Sequence, residues 1–130
     1  MAYTFLIVDD SSIVRKAFGK AVKLSGLDVG TIYEAENGKR ALAVLRSQAV
    51  DLVLLDINMP EMSGIEFMHV VRSEPALKDT RVVVISTEGS RARKEELARL
   101  AVIDYLRKPI TPEALTDSVT RLLGGNHGRL

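Results

Sequence analysis

The sequence of 130 residues contains no cysteine and no tryptophan. Without cysteine there are no disulfides, no thiolate catalysis and no cysteine-ligated zinc or iron–sulfur centre, which fits a reducing compartment. Charge of one sign is also missing: 18 Lys and Arg against 17 Asp and Glu give a formal net charge of +1. With no excess, steering onto nucleic acid or an anionic membrane is not the chain's main business. Long apolar runs are absent. Phe5–Val8, Leu52–Leu55 and Val82–Ile85 fall far short of the ~18 residues that span a bilayer. Phe5–Val8 has no positive residue before it and stops at Asp9-Asp10, so it is not the core of a signal peptide. Neither Gly-x-x-x-x-Gly-Lys nor Gly-x-Gly-x-x-Gly occurs, which disfavours a nucleotide-binding loop.

What is present is ordinary globular usage: 46% hydrophobic and 27% charged residues exclude a disordered or fibrous chain. The length suits one domain, expected over 1–123, with Gly124–Leu130 as a flexible tail. Apolar runs alternate with amphipathic stretches. The pattern predicts strands at Phe5–Val8, Val29–Ala35, Leu52–Leu55, Val82–Ile85 and Val102–Leu106. Helices are predicted at Ser12–Ser25, Lys39–Arg46, Ile65–Ser73, Arg91–Leu100 and from Pro112 to about Leu123. Ile13, Ala17, Phe18, Ala21, Val22 and Leu24 supply the apolar spacing of the first helix, Asn37 offers a cap to the second, and Thr111-Pro112-Glu113 starts the last. Strands apolar at every position, alternating with helices, argue for an α/β fold with a parallel sheet covered on both faces.

In such a sheet, ligands bind beyond the carboxyl ends of the strands, and the unusual polar residues stand there. Asp9-Asp10 ends the first strand, Asp56 the third and Ser86-Thr87 the fourth, while Lys108-Pro109 follows the fifth. If the first and third strands are neighbours, three carboxylates converge. Two unit charges ~4 Å apart repel by about 4 kcal/mol at an effective dielectric near 20. The natural compensation is a hard divalent cation such as Mg²⁺, bound through carboxylates, water and phosphate oxygens. A carboxylate can also act as a nucleophile and form an aspartyl phosphate, with Lys108 and Ser86 as donors to the phosphoryl group.

Val8-Asp9-Asp10-Ser11-Ser12, Leu54 to Gly64, Ser86-Thr87-Glu88 and Tyr105-Leu106-Arg107-Lys108-Pro109 resemble the receiver domain of two-component response regulators. The likeness runs from about Phe5 to Leu123. Asp9-Asp10-Ser11-Ser12, Asn58 and Glu88 are most similar to chemotaxis-type single-domain regulators. The resemblance implies a flavodoxin-like, doubly wound sheet of order 2-1-3-4-5. It implies a stand-alone regulator in the cytoplasm, a monomer and not an enzyme, which takes a phosphoryl group on Asp56 from a sensor histidine kinase. It implies Mg²⁺ on Asp9, Asp10, Asp56 and the Asn58 carbonyl. Ser86 and Lys108 would contact the phosphoryl group, Ser86 and Tyr105 would form the switch, and Asn58 and Glu88 would tune dephosphorylation. A downstream protein, in chemotaxis or motility signalling, is expected on the Arg91–Leu123 face, with no nucleic acid or membrane partner. Ala101-Val102 and Ile110 depart from the Gly-Ala and Phe common in the family, and both lie near that face.

Blander readings stand beside these. Asp9-Asp10 alone reads as a helix cap and Asp56 alone as a turn residue. Tyr105 fits a packed aromatic as well as a switch. The charges of Arg91–Leu100 read as a solvated face, and His69 and His127 as surface residues. A phosphorelay intermediate is an alternative function. A phosphohydrolase with an aspartyl nucleophile is less favoured, because it needs a second acid where Asn58 stands.

Overall fold

In the computed structural model, which describes residues 2–59, 61–87 and 89–124, strands and helices alternate from end to end. The order is β1 (Tyr3–Val8), α1 (Ser12–Lys23), β2 (Val29–Ala35), α2 (Gly38–Ser47), β3 (Leu52–Leu55), α3 (Gly64–Ser73), β4 (Val82–Ser86), α4 (Arg91–Arg99), β5 (Asp104–Arg107) and α5 (Pro112–Val119). A π-helical turn, Thr120–Gly124, continues α5. The sheet is parallel throughout, with strand order β2-β1-β3-β4-β5. Phe5 to Val8 pair with Leu52 to Leu55, so Asp9 and Asp56, the next residue on each strand, leave the sheet side by side.

Alternation along the central strands divides the core in two. Leu6, Val8, Val53, Leu55, Val82 and Val84 face one way, where α2, α3 and α4 bring Leu42, Phe67, Met68 and Leu97. Phe5, Ile7, Leu52, Leu54, Val83 and Ile85 face the other, against Val22 of α1 and Leu115 and Val119 of α5. Each such side chain gains about 1.5–3 kcal/mol by leaving water, which is why β3 and β4 read as unbroken apolar runs. A polar side chain caps every helix: Ser11, Asn37, Ser63, Ser90 and Thr111 each accept a hydrogen bond from a backbone N–H of the first turn.

The expectation of strands apolar at every position fails at the sheet edges. β2 and β5 are only partly covered, and Thr31, Glu34 and Arg107 are exposed there. Ile13 on α1 and Leu24 at its C-cap are 80% and 74% exposed, so they do not belong to the buried stripe of that helix. His69 is exposed, as expected. Pro60, Glu88 and the expected tail beyond Gly124 lie outside the described residues.

β5 starts two residues later than its apolar pattern suggests. The Val102 N–H bonds the Leu97 carbonyl at 3.2 Å and the Ala101 N–H bonds that of Ala98 at 3.0 Å. This is the Schellman closure of α4, and it uses Val102 before the ladder begins. It also puts Ala101 at φ 61°, in the left-handed region. An L-residue there costs about 1–2 kcal/mol that glycine avoids. Ala101→Gly should therefore stabilise the protein by about 1 kcal/mol. Urea unfolding checks this as a higher midpoint with unchanged slope.

Candidate functional site

The acidic pair after β1 is not the cap of α1, because Ser11 fills that role: its Oγ accepts from the Val14 N–H at 3.2 Å. Asp9 is turned back instead. Its Oδ1 accepts the Ser11 N–H at 2.9 Å, an Asx-type turn. Asp56 makes the matching turn after β3, with Oδ1 accepting the Asn58 N–H at 3.3 Å. The turn reading of Asp56 is thus correct as far as it goes. In both residues one carboxylate oxygen serves the turn and the other faces Lys108. The Lys108 Nζ lies 2.8 Å from Asp9 Oδ2 and 3.6 Å from Asp56 Oδ2. Lys108 arrives from beyond β5, where its own N–H bonds the Ser86 carbonyl at 2.8 Å.

Asp10 completes the cluster. Asp9, Asp10 and Asp56 each offer a carboxylate oxygen within 4.8 Å of the others. Asp9 and Asp56 are 1% and 7% exposed, whereas Asp10 opens to solvent. Burial pushes the Asp56 carboxyl above its ordinary range. The Lys108 charge opposes that rise, and the charges of Asp9 and Asp10 add to it. One ammonium against three carboxylates leaves the pocket negative, open on the Asp10 side and furnished with hard oxygen donors. That donor set fits a hard divalent cation and does not fit a soft one.

Of the other site residues expected from sequence, Asn58 stands exposed at the rim, directly after the β3 turn. Ser86 is fully buried at the end of β4. Tyr105 is half-buried on β5, packed against the core face that holds Val84. Val84 pairs with Tyr105 and Ser86 with Arg107, so Ser86 and Tyr105 lie diagonally on one face of the sheet. The Lys94 Nζ of α4 sits 5.5 Å from the Tyr105 ring centroid, within cation–π range. Glu88 lies outside the described residues.

Two contacts that hold the loop after β3 were not legible in the sequence. Asn37, expected only as a cap, also donates from Nδ2 to Glu61 Oε2 at 2.9 Å, and the Gly38 N–H bonds the Met62 carbonyl at 3.2 Å. Glu61 sits at φ 62°, and its carboxylate is tied down by that bond. At the far end, Gly64 packs so closely that a Cβ would lie 2.6 Å from the Ile57 Cα and 2.7 Å from the Asp56 carbonyl oxygen. Only glycine lets α3 start this close behind Asp56. The loop's sequence carries turn signals, but nothing in it names a partner 24 residues away.

Comparison with known proteins agrees with this arrangement. The family profile described as "Response regulator receiver domain" matches residues 5–120. A "Chemotaxis protein CheY homolog" of Campylobacter jejuni is 34% identical over 124 residues, covering 95% of this chain and 94% of its own. "Chemotaxis protein CheY1" of Helicobacter pylori is 37% identical over 122 residues, covering 93% and 97%. The solved structure of Vibrio cholerae CheY4 superposes with a TM-score of 0.83 at 32% identity, over 95% of this chain and all of that one. With the strand order, the strand-end residues and the sequence match in agreement, the chain belongs to the response regulator receiver domain family.

Proposed function

We propose that the chain is a phosphorylation-controlled switch and that Asp56 is its phosphoacceptor. One observation carries this reading: a buried carboxylate at a strand end, 3.6 Å from the Lys108 ammonium and within 4.8 Å of two further carboxylates. Of these three acids, Asp56 is the one that combines a fixed Oδ1 with an Oδ2 facing Lys108 at more than direct hydrogen-bond distance. Asp9 is already bonded to that ammonium, and Asp10 is exposed.

In the transfer, Asp56 Oδ2 attacks phosphorus and the bond from phosphorus to a histidine nitrogen of the donor kinase breaks. The electron pair leaves with that nitrogen, and because the other ring nitrogen of the phosphohistidine carries a proton, the donor departs as neutral imidazole. Lys108 neutralises charge on the phosphoryl oxygens and Ser86 supplies a hydroxyl donor to one of them. Asp9, Asp10, Asp56 and the Asn58 carbonyl would hold Mg²⁺, which when bound supplies charge neutralisation for the transferring group. Asn58 at the rim, with Glu88, sets how easily water reaches the acyl phosphate. The chain assists its own phosphorylation and dephosphorylation and is otherwise not an enzyme.

The output is a change of affinity for a protein partner on the Arg91–Leu123 face, which holds Tyr105 and Lys94. The relatives named as chemotaxis proteins favour that signalling context. We place the protein in the cytoplasm as a monomer, where a sensor histidine kinase reaches it. No helix among the described residues is long and apolar enough to cross a membrane.

Three measurements test the reading. Millimolar Mg²⁺ should raise the melting temperature by mass action, and Asp56→Asn should raise it in metal-free buffer, because a buried, mutually repelling carboxylate is removed. Circular dichroism reports both, and a melting temperature indifferent to Mg²⁺ removes the cation site. Acetyl phosphate with Mg²⁺ should give one acyl phosphate, labile to hydroxylamine and absent in Asp56→Asn. Intact-protein mass spectrometry reads it, and labelling on Asp9 or Asp10 overturns the assignment. Ser86→Ala should still be phosphorylated, while the Tyr105 ring resonances shift less than in the wild type. A full Tyr105 response in that variant removes the coupled switch and leaves the phosphoacceptor standing.

A further inference from the structure

Asp10 differs from its neighbours in how it is held. The Asp9 carboxylate is gripped by the Ser11 N–H and by Lys108, and that of Asp56 by the Asn58 N–H. Among the described residues, no hydrogen bond or ion pair restrains the Asp10 carboxylate, which is exposed. Its position therefore depends on the backbone that carries it, above all on the peptide between Asp9 and Asp10. The carbonyl of that peptide is held by one side chain. Arg15, one turn into α1, donates from Nη1 to the Asp9 carbonyl oxygen at 2.6 Å. Its Nε donates to Glu34 Oε1 on β2 at 2.9 Å, and the Arg15 side chain is only 15% exposed. On the other side of Asp9, the N–H bonds the Ala35 carbonyl of β2 at 3.1 Å. Both peptide groups flanking Asp9 are thus tied, directly or through Arg15, to the end of β2.

We propose that Arg15, braced by Glu34, is a positioning residue that presents Asp10 to the cation pocket. The inference rests on the reading of Asp9, Asp10 and Asp56 as a divalent-cation site. A guanidinium suits the task because its planar fork can hold a carbonyl and a carboxylate at once, at a fixed angle. A lysine ammonium is a point charge on a flexible stem and holds one of the two with less direction. Arg15 acts through the backbone and not as a ligand: it is a cation, and its bond is to the carbonyl of Asp9. Residues that orient metal ligands in this way typically change metal affinity by 10–100-fold when removed. The brace is electrostatically simple. Glu34 needs only to accept a hydrogen bond, so a neutral acceptor of the same shape can replace it. Lys16 Nζ, 3.9 Å from Glu34 Oε2, is 74% exposed and adds little.

The test is Mg²⁺ titration of the metal-free protein by calorimetry, with amide NMR of Asp10 and Ser11 as a second readout. Arg15→Met should weaken Mg²⁺ about tenfold or more and shift or broaden the Asp10 amide. Arg15→Lys should recover part of the loss. Glu34→Gln, which keeps an acceptor, should bind like the wild type, whereas Glu34→Ala should bind a few-fold more weakly. If Arg15→Met does not fold, the Glu34→Ala and Glu34→Gln pair decides: equal affinities overturn the proposal. A merely structural Arg15 would lower the metal-free melting temperature of Arg15→Met with its Mg²⁺ affinity unchanged, and that result also overturns it. A wild-type protein that takes up no Mg²⁺ overturns the cation-site reading and this inference with it, which sets that failure apart from a loss of the Arg15 role alone.

Discussion

The Lys108 ammonium is the counter-charge on which the acidic pocket depends. It comes from 99 residues away to meet Asp9 at 2.8 Å and stands 3.6 Å from Asp56. Three carboxylates this close repel by several kcal/mol at a protein-like dielectric. The strain shows in Asp56, whose carboxyl is pushed up by burial and by its acidic neighbours in spite of Lys108. One ammonium leaves two negative charges uncompensated when all three acids are ionised. A divalent cation balances them, and a phosphoryl group brings in oxygens that need the same two partners. In the proposed cycle the pocket is therefore under-neutralised at rest and better balanced with cation and phosphoryl group bound.

That arrangement needs the topology. Parallel pairing of β1 with β3 puts Asp9 and Asp56 at the same sheet edge, because Val8 and Leu55 are register partners. Placing β4 and β5 on the far side of β3 brings Ser86 and Lys108 to the same edge from the other half of the chain. The apolar layers on both faces make this edge rigid. Helices capped at their first turns and packed through Phe67, Met68, Val22 and Leu115 leave the central strands no freedom to slip. A one-residue slip of β3 would turn Asp56 away and drive every side chain of that strand into the opposite apolar layer, against the wrong helices.

Much of this was legible in the sequence because each chemical residue stands within two positions of the end of an apolar run. β3 was delimited to the residue, and Asp9, Asp10, Asp56 and Lys108 fall together as expected. The errors have separate physical causes. The apolar pattern predicts β2 and β5 as fully covered strands, yet edge strands have one neighbour and tolerate Glu34 and Arg107 in water. Ile13 and Leu24 fit a helical spacing while lying off the buried stripe, since spacing alone does not say which side faces the sheet. The supports of the site, Arg15 to the Asp9 carbonyl and Asn37 to Glu61, were invisible. They join side chains to partners that become neighbours only once the sheet has formed. The departure at Ala101 was visible, but its meaning was not: the left-handed φ comes from the closure of α4 and no composition signal marks it.

The size of the proposed switch can be bounded from the donors on hand. Moving a two-state equilibrium from 1:99 to 99:1 takes about 5.5 kcal/mol of differential binding. A hydrogen bond to a charged group contributes about 1.5–3 kcal/mol. Lys108 cannot supply its full share, because it already holds Asp9 and would exchange one anionic partner for another. The differential must then draw on donors other than Lys108. Ser86, fully buried at the end of β4, brings a further hydroxyl to the same sheet edge. Its reach alone stays below 5.5 kcal/mol, so phosphorylation by itself should leave a mixture of states, and partner binding completes the shift. Tyr105 is placed to link the two events: it shares Ser86's face of the sheet on one side and meets Lys94 of α4 on the other.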